Sequence, residues 1–149
     1  METRINEISL SYRPKRKAEH WPKISSSSLA AHVIYQNWDQ NTIAVYESFK
    51  IVLLNNSNKV KGIYQISAGG ITGTLVDLRL LFAVALKSLS VALILVHNHP
   101  SGTLRPSEAD KQLTRKIKAG ADFLDIKILD HIIINPKGDY YSFADEGIL

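Results

Sequence analysis

The chain has 149 residues, of which 45% are hydrophobic and 21% charged, and its formal net charge is +4. This length and balance are typical of one globular domain that buries a core without disulfides, and they exclude a disordered chain. The absence of cysteine excludes a disulfide framework and a thiolate zinc site, so any metal must be held by nitrogen and oxygen ligands.

The N-terminal part of the chain is predicted to be an extension ahead of the folded core. Apolar residues alternate loosely over residues 1–12, which predicts an edge strand. Residues 13–17 read RPKRK and carry much of the positive charge. A basic run can contact nucleic acid phosphates, but a solvated segment is the simpler interpretation because no aromatic platform accompanies the run. We therefore predict one domain over residues 1–149, with the extension at 1–24 and the core at 25–149.

Three helices are predicted in the core. The serines before Leu29 supply an N-cap for a helix that runs to about Trp38. Residues 76–88 repeat apolar side chains at helical spacing. Ser107 starts a third helix, which Gly120 ends.

Short β-rich runs alternate with these helices. The predicted strands, of which the first two form a hairpin and the last two flank a turn, are residues 43–54, 60–66, 91–96, 123–129, 132–135 and 140–143. The glycine-rich residues 69–74 are predicted to be a plain connector, because the spacing of a phosphate-binding loop is missing. Alternation of strands and helices predicts a single α/β domain, with a mixed β-sheet flanked by helices in α-β-α layers.

The most informative stretch is residues 97–110, which read HNHPSGTLRPSEAD and directly follow an apolar strand. His97 and His99 point the same way from an extended backbone and can converge on one point. The loop then brings a helix back over the strand end, so that Asp110 faces the two rings. Two imidazoles and one carboxylate leave a fourth tetrahedral position for water, as in catalytic zinc sites.

A second interpretation needs no metal. Ser107 and Asp110 have the spacing of a helix-capping box in which Asp replaces the usual Glu. A capping box accounts for both residues but not for two histidines after a buried strand. From spacing alone, a metal site and an ordinary turn with a capped helix both stay open.

A family resemblance favours the metal site. The pattern HxHP followed by SxxD within residues 97–110 resembles the JAMM motif of the JAB1/MPN metalloprotease superfamily. The longer string HNHPSG…PSEAD, with LDHIII at residues 129–134, resembles the RadC family within it. The resemblance runs from Glu47 onward and implies a JAB1/MPN-like fold.

The resemblance also implies roles for five residues. His97, His99 and Asp110 would hold Zn²⁺, which lowers the pKa of water toward about 7. Glu47 matches the family's upstream glutamate, which accepts the proton of that water and passes it to the leaving amine. From its own strand alone, Glu47 would be interpreted as a solvent-facing residue. Ser107 would donate a hydrogen bond to the oxyanion while its oxygen caps the helix.

Other polar residues near the motif are not counted among the predicted site residues. Asn98, Ser101 and Gly102 are most simply loop formers. Asp130 and His131 precede a buried-looking run, and two roles stay open for them: orienting a metal ligand from behind, or a purely structural one.

The leading prediction is a zinc-dependent metalloprotease or isopeptidase that hydrolyses an amide bond of a peptide or protein substrate. Full-length RadC-like proteins carry a helix-hairpin-helix segment, but the residues before Glu47 lack its glycine-containing hairpin, so we predict a short, stand-alone form with weak support for DNA binding. The alternatives are a DNA-repair-associated accessory protein or nuclease, and a non-catalytic interaction module that retains the fold.

No apolar run reaches the roughly 18 residues that span a bilayer, and no signal core begins the chain, so we expect a cytoplasmic protein without a membrane partner.

Overall fold

The computed structural model describes residues 3–9, 11–69 and 75–149. Its helices and strands, preceded by a 3-10 turn at Ala18–His20, are α1 (Ser27–Gln36), β1 (Ser48–Leu54), β2 (Val60–Ala68), α2 (Leu78–Lys87), β3 (Ala92–Asn98), α3 (Glu108–Phe123), β4 (Lys127–Ile134) and β5 (Tyr140–Ser142). Within the described residues, no helix has the length and apolar character needed to cross a bilayer.

The five strands form one mixed sheet in the order β2-β1-β3-β4-β5. The β1–β2 and β1–β3 pairs are antiparallel, β3 and β4 are parallel, and β5 returns antiparallel to β4. A parallel pair needs a crossover connection, and α3 provides it between β3 and β4. The mixed sheet that the alternation predicts is therefore confirmed.

Side-chain alternation along β3 sorts the core into two layers. Ile94 and Val96 belong to the apolar cluster that α1 covers, whereas Leu93 and Leu95 belong to the cluster that α2 and α3 cover. The α-β-α layering is thus confirmed. His97 continues the Leu93–Leu95 side of the strand, so its ring lies on the α3 side of the sheet.

The N-terminal predictions require correction. Residues 3–9, 11 and 12 form no strand, because Ile5 and Ile8 are 92% and 89% exposed and have no apolar face to cover. The first hairpin strand begins at Ser48, since residues 40–45 form turns. In the connector predicted at 69–74, residues 70–74 lie outside the described residues.

Gly120 does not end α3, which continues to Phe123. A Cβ at position 120 would lie 2.9 Å from Cε2 of the Phe82 ring on α2. The glycine therefore serves the close approach of two helices rather than a helix end.

The strands predicted at 123–129 and 132–135 are one strand, β4, which continues through residues 130 and 131. This strand begins later than predicted because residues up to 123 are helical and Asp125 turns the chain with φ 54°. The polar pair at 130 and 131 interrupts the apolar pattern but not the strand. Both side chains are buried and hydrogen-bonded, which is why β4 tolerates them.

Candidate metal centre

Two histidine rings converge at the end of β3. His97, which is 1% exposed, lies in the strand, and His99 follows directly after it. Their Nε2 atoms are 2.9 Å apart. The Gly102 amide donates to the His99 carbonyl at 3.0 Å, and the φ of +90° at Gly102 closes a turn that favours glycine. This turn directs the chain into α3.

Asp110 is brought to the histidines by the start of α3. Ser107 caps the helix by accepting from the Asp110 amide at 3.0 Å, and the Ser107 amide donates to Asp110 Oδ2 at 2.8 Å. Asp110 Oδ1 lies 3.5 Å from His97 Nε2, and Oδ2 lies 3.7 Å from His99 Nε2. The capping box is present, and it holds the Asp110 carboxylate against the two rings. The two interpretations of the motif are therefore compatible.

Glu47 approaches the cluster from the segment just before β1. Its Oε1 atom is 3.9 Å from His97 Nε2, and its side chain is 16% exposed. The ligand atoms of Glu47, His97, His99 and Asp110 all lie within 4.8 Å of one another. Four residues from three separate parts of the chain thus share one point at the sheet end.

Asn98 holds the Glu47 segment in place. This residue is fully buried at the last position of β3. Its Oδ1 atom accepts from the Ser48 amide at 2.7 Å, and its Nδ2 donates to the carbonyls of Ile43 at 2.8 Å and Tyr46 at 2.9 Å. The interpretation of Asn98 as a loop former is therefore wrong, because its side chain joins β3 to the residues on either side of Glu47.

The donor set fits a divalent cation. His99 Nδ1 lies 2.8 Å from the Thr103 carbonyl, which can only accept, so His99 donates from Nδ1 and turns the lone pair of Nε2 toward Asp110. Imidazole nitrogens and carboxylate oxygens without sulfur suit Zn²⁺ and other first-row divalent ions. The Nε2 atoms of His97 and His99 lie 2.9 Å apart, so that one cation could contact both.

The electrostatics of the cluster favour positive charge. Burial by itself would raise the pKa of Asp110, but the neighbouring His97 and His99 rings and the hydrogen bond from the Ser107 amide outweigh it and hold that pKa well below its usual range. Burial by itself would lower the pKa of His99, yet the facing Asp110 carboxylate and the Thr103 carbonyl leave it raised. The carboxylate is therefore ionised and strongly attracts a cation.

Ser107 lies at the exposed N-terminus of α3. Because its oxygen accepts from the Asp110 amide, the hydroxyl hydrogen remains free to donate. Ser101 is exposed in the turn after His99, where its hydroxyl accepts weakly from the Thr103 amide at 3.4 Å.

The two polar residues of β4 differ in what they contact. His131 Nε2 lies 2.8 Å from His97 Nδ1, directly behind the cluster. Asp130 instead accepts from the Ser142 hydroxyl at 2.6 Å and the Ala144 amide at 3.0 Å, and so anchors the C-terminal segment. The sequence left the role of His131 open. It did not single out Thr114, whose hydroxyl lies 2.6 Å from His131 Nδ1. The available signal was the position of Thr114 one helical turn after Asp110.

The basic run lies away from this cluster. Arg13, Lys15 and Arg16 line a cavity of about 630 Å³ whose wall includes Ile34 of α1 and Val52 of β1. Both apolar residues belong to the layer that α1 covers. The cavity is therefore on the side of the sheet opposite His97.

Residues 24–148 match the family model described as RadC-like JAB domain. The UPF0758 protein of Flavobacterium johnsoniae is 57% identical over 103 residues, which make up 69% of this chain and 44% of that protein. The UPF0758 protein of Porphyromonas gingivalis is 47% identical over 103 residues, and that of Desulfitobacterium hafniense is 38% identical over 128 residues, or 86% of this chain and 55% of that protein. The chain spans about half the length of these curated relatives. Since the family model covers most of the chain and its His, Asp and Glu residues meet at one point, the chain belongs to the RadC-like JAB domain family, within the JAB1/MPN superfamily.

Proposed function

We propose that this chain is a zinc-dependent hydrolase that activates water to cleave an amide bond in a peptide or protein substrate. The observation that carries the proposal is the convergence of Glu47, His97, His99 and Asp110 within 4.8 Å at the open end of β3. Clusters of this composition beside a partly exposed helix start are suited to hydrolysis, because ligands, base and oxyanion donor lie together.

In this proposal the histidines and Asp110 hold the metal. Zn²⁺ bound there supplies Lewis-acid chemistry, which polarises a carbonyl and lowers the pKa of water to about 7. His97 and His99 contribute Nε2, and Asp110 contributes a carboxylate oxygen whose charge the site already stabilises. Three protein ligands leave a position for water or substrate, as catalytic zinc sites require.

Glu47 acts as the general base. It is set back 3.9 Å from the nearest imidazole nitrogen and stays partly exposed, so a water molecule can reach it. Its carboxylate takes one proton from the attacking water as the new carbon–oxygen bond forms. The same proton then passes to the leaving nitrogen when the carbon–nitrogen bond breaks.

Ser107 supplies the hydrogen-bond donor for the substrate oxygen. Its hydroxyl hydrogen is not used by the capping box, and the N-terminus of α3 adds positive potential beside it. A donor placed where negative charge develops stabilises the transition state more than the substrate.

Zinc stoichiometry and hydrolysis test the proposal together. Purified protein supplied with Zn²⁺ should hold about one ion per chain, and His99→Ala and Asp110→Asn should lose it. Glu47→Gln should keep the metal and lose the hydrolysis of peptide and isopeptide substrates. The matched control is Glu108→Gln, an exposed carboxylate of α3 paired with Lys111. A protein that takes up no zinc, or a Glu47→Gln variant with unchanged turnover, would contradict the proposal.

Nucleic acid binding is a second candidate, favoured by Arg13, Lys15 and Arg16 of the basic run, which line the cavity beside α1 together with Lys61. Counterion release predicts that affinity for duplex DNA falls steeply as salt is added. Because this cavity lies on the other side of the sheet from His97, it supports an accessory role rather than a nuclease at the metal cluster. A chain that binds zinc but neither DNA nor hydrolysable amides would instead favour the non-catalytic interaction module.

A further inference from the structure

His131 and Thr114 form a buried chain of contacts behind the metal cluster. His131 is fully buried between the rings of Phe143, which stacks on it at 4.5 Å, and Phe49, which meets it edge-on at 5.6 Å. Its Nε2 atom lies 2.8 Å from His97 Nδ1, and its Nδ1 atom lies 2.6 Å from Thr114 Oγ1. Thr114 Oγ1 in turn donates to the Asp110 carbonyl at 2.7 Å.

The direction of each hydrogen bond in this series follows from its last acceptor, the Asp110 carbonyl. A backbone carbonyl only accepts, so the single hydroxyl hydrogen of Thr114 goes to Asp110. The Thr114 oxygen is then left to accept, and His131 must donate to it from Nδ1. A neutral imidazole protonated at Nδ1 accepts at Nε2. His97 Nδ1 therefore donates the hydrogen bond between the two rings.

The surroundings of His131 favour a neutral ring, as this direction requires. The ring is fully buried between Phe143 and Phe49, and its two hydrogen-bond partners, Thr114 and His97, offer no carboxylate, so a charge there would be costly. A neutral ring has one donor and one acceptor, so His131 donates to Thr114 and accepts from His97.

We propose that Thr114 and His131 are positioning residues, which fix His97 as the tautomer with its proton on Nδ1 and its Nε2 lone pair toward Asp110. This inference rests on the proposed function in that the lone pair matters because Nε2 would be a metal ligand. His99 reaches the same tautomer through the Thr103 carbonyl, without a histidine in between. The two metal-facing nitrogens are thus prepared by separate contacts before any ion arrives.

The same contacts tie three elements of the site together. His97 is on β3, His131 is on β4, and Thr114 and Asp110 are one turn apart on α3. The hydrogen bond from Thr114 to the Asp110 backbone therefore couples the orientation of one ligand ring to the helix that carries another ligand. Contacts of this kind behind metal ligands contribute about 10–100-fold to metal affinity.

The tautomer of His97 is the first measurement. Nitrogen-15 NMR of the imidazole rings in metal-free protein near neutral pH should show His97 protonated at Nδ1 and unprotonated at Nε2. A His97 ring without a proton on Nδ1 would overturn the proposal, because the hydrogen bonds between Thr114, His131 and His97 would then run in the opposite direction.

Zinc affinity, measured by competition with a chromophoric chelator, is the second. Thr114→Val keeps the side-chain shape but removes the hydroxyl, and it should weaken Zn²⁺ binding about 10–100-fold. Thr114→Ser should restore affinity to within a few-fold, and His131→Phe should show a loss like that of Thr114→Val. The control is Thr42→Val, which removes a threonine hydroxyl that bonds the Asp39 carbonyl and contacts no histidine.

Unchanged zinc affinity in a folded Thr114→Val protein would overturn the proposal. If that variant does not fold, the tautomer in the unaltered protein and the affinity of Thr114→Ser still decide it. Zinc binding without hydrolysis would contradict the proposed function alone, since neither measurement here uses turnover. A protein that binds no zinc at all would contradict the proposed function and the expected affinity changes, whereas the His97 tautomer, which is read without metal, would still test the direction of the hydrogen bonds.

Discussion

Asn98 Oδ1 accepts a hydrogen bond from the Ser48 amide at 2.7 Å, and this bond ties the end of β3 to the residue that follows Glu47. The same side chain donates to two carbonyls of the preceding turns, so three backbone groups depend on one buried amide. Only a side chain with both a donor and an acceptor serves all three. The position of Glu47 relative to His97 is therefore set by a residue that lies between the two histidines in sequence.

Asn98→Ala should destabilise the protein by about 2–4 kcal/mol, because it leaves buried backbone groups without partners. It should also reduce hydrolysis more than zinc binding, since Glu47 loses its support while the three proposed ligands remain. Urea unfolding, zinc stoichiometry and turnover measure these effects. Asn37→Ala is the matched control, as that exposed amide makes one bond to the Val33 carbonyl. Equal losses in the two variants would contradict the role assigned to Asn98.

Metal binding should stabilise the fold through Asp110. Zn²⁺ at 100 times its dissociation constant should raise the free energy of unfolding by about 2.7 kcal/mol, and a chelator should reverse this. In Asp110→Asn the amide oxygen can still accept from the Ser107 amide, so the helix cap is retained while the ligand charge is lost. We expect this variant to fold with a melting temperature that zinc hardly changes.

Thermal unfolding with and without zinc measures the difference, and Glu108→Gln in the same helical turn is the control. If Asp110→Asn gains as much stability from zinc as the unaltered protein, Asp110 is not a ligand.

The contact between Gly120 and Phe82 predicts a packing penalty. Gly120→Val places its Cβ within 3.0 Å of the Phe82 ring and should destabilise the protein by about 1–3 kcal/mol. Combining it with Phe82→Ala should give much less than the sum of the two single losses, because each change relieves the other. Gly62→Ala is the control, since a Cβ there meets nothing within 4 Å. Additive losses in the double variant, measured by urea unfolding, would show that the two residues do not compete for space.

The buried carboxyl of Asp130 predicts a pH-dependent stability. Burial raises its pKa above the ordinary value, against hydrogen bonds from Ser142 and the Ala144 amide that lower it. The folded chain therefore binds this proton more tightly than the unfolded chain does. The stability that Asp130 contributes is present below the ordinary carboxyl pKa of about 3.9 and declines as the pH rises through the folded value.

Asp130→Asn removes this titration. The difference in unfolding free energy between the variant and the unaltered protein should shift in favour of the variant as the pH rises from about 4. Urea midpoints measured at a series of pH values provide the test. A difference that stays constant, or that shifts in favour of the unaltered protein, would be evidence against a raised pKa at Asp130.

Much of the fold and of the candidate site was accessible from local patterns. All seven residues of β3 are buried, and the apolar run formed by the first five identifies a covered strand. The spacing within residues 97–110 brings two histidines and an aspartate together because a strand end, a tight turn and a capped helix each have a fixed geometry. Where the local signal was ambiguous, as at Gly120 and at the polar pair in β4, the prediction of element boundaries was wrong.

The sequence by itself determined the layered α/β class, which follows from spacing between near neighbours. It also pointed to His97, His99 and Asp110 as candidate ligands, which spacing left open and the family resemblance favoured. Only the tertiary structure decided what supports those ligands. Asn98 bonds to residues about fifty positions earlier, and His131 meets His97 across 34 positions of chain. Such contacts depend on strand order and register, which no short-range periodicity records. The physical reason is that a buried polar group must find whatever partner the packed sheet places beside it.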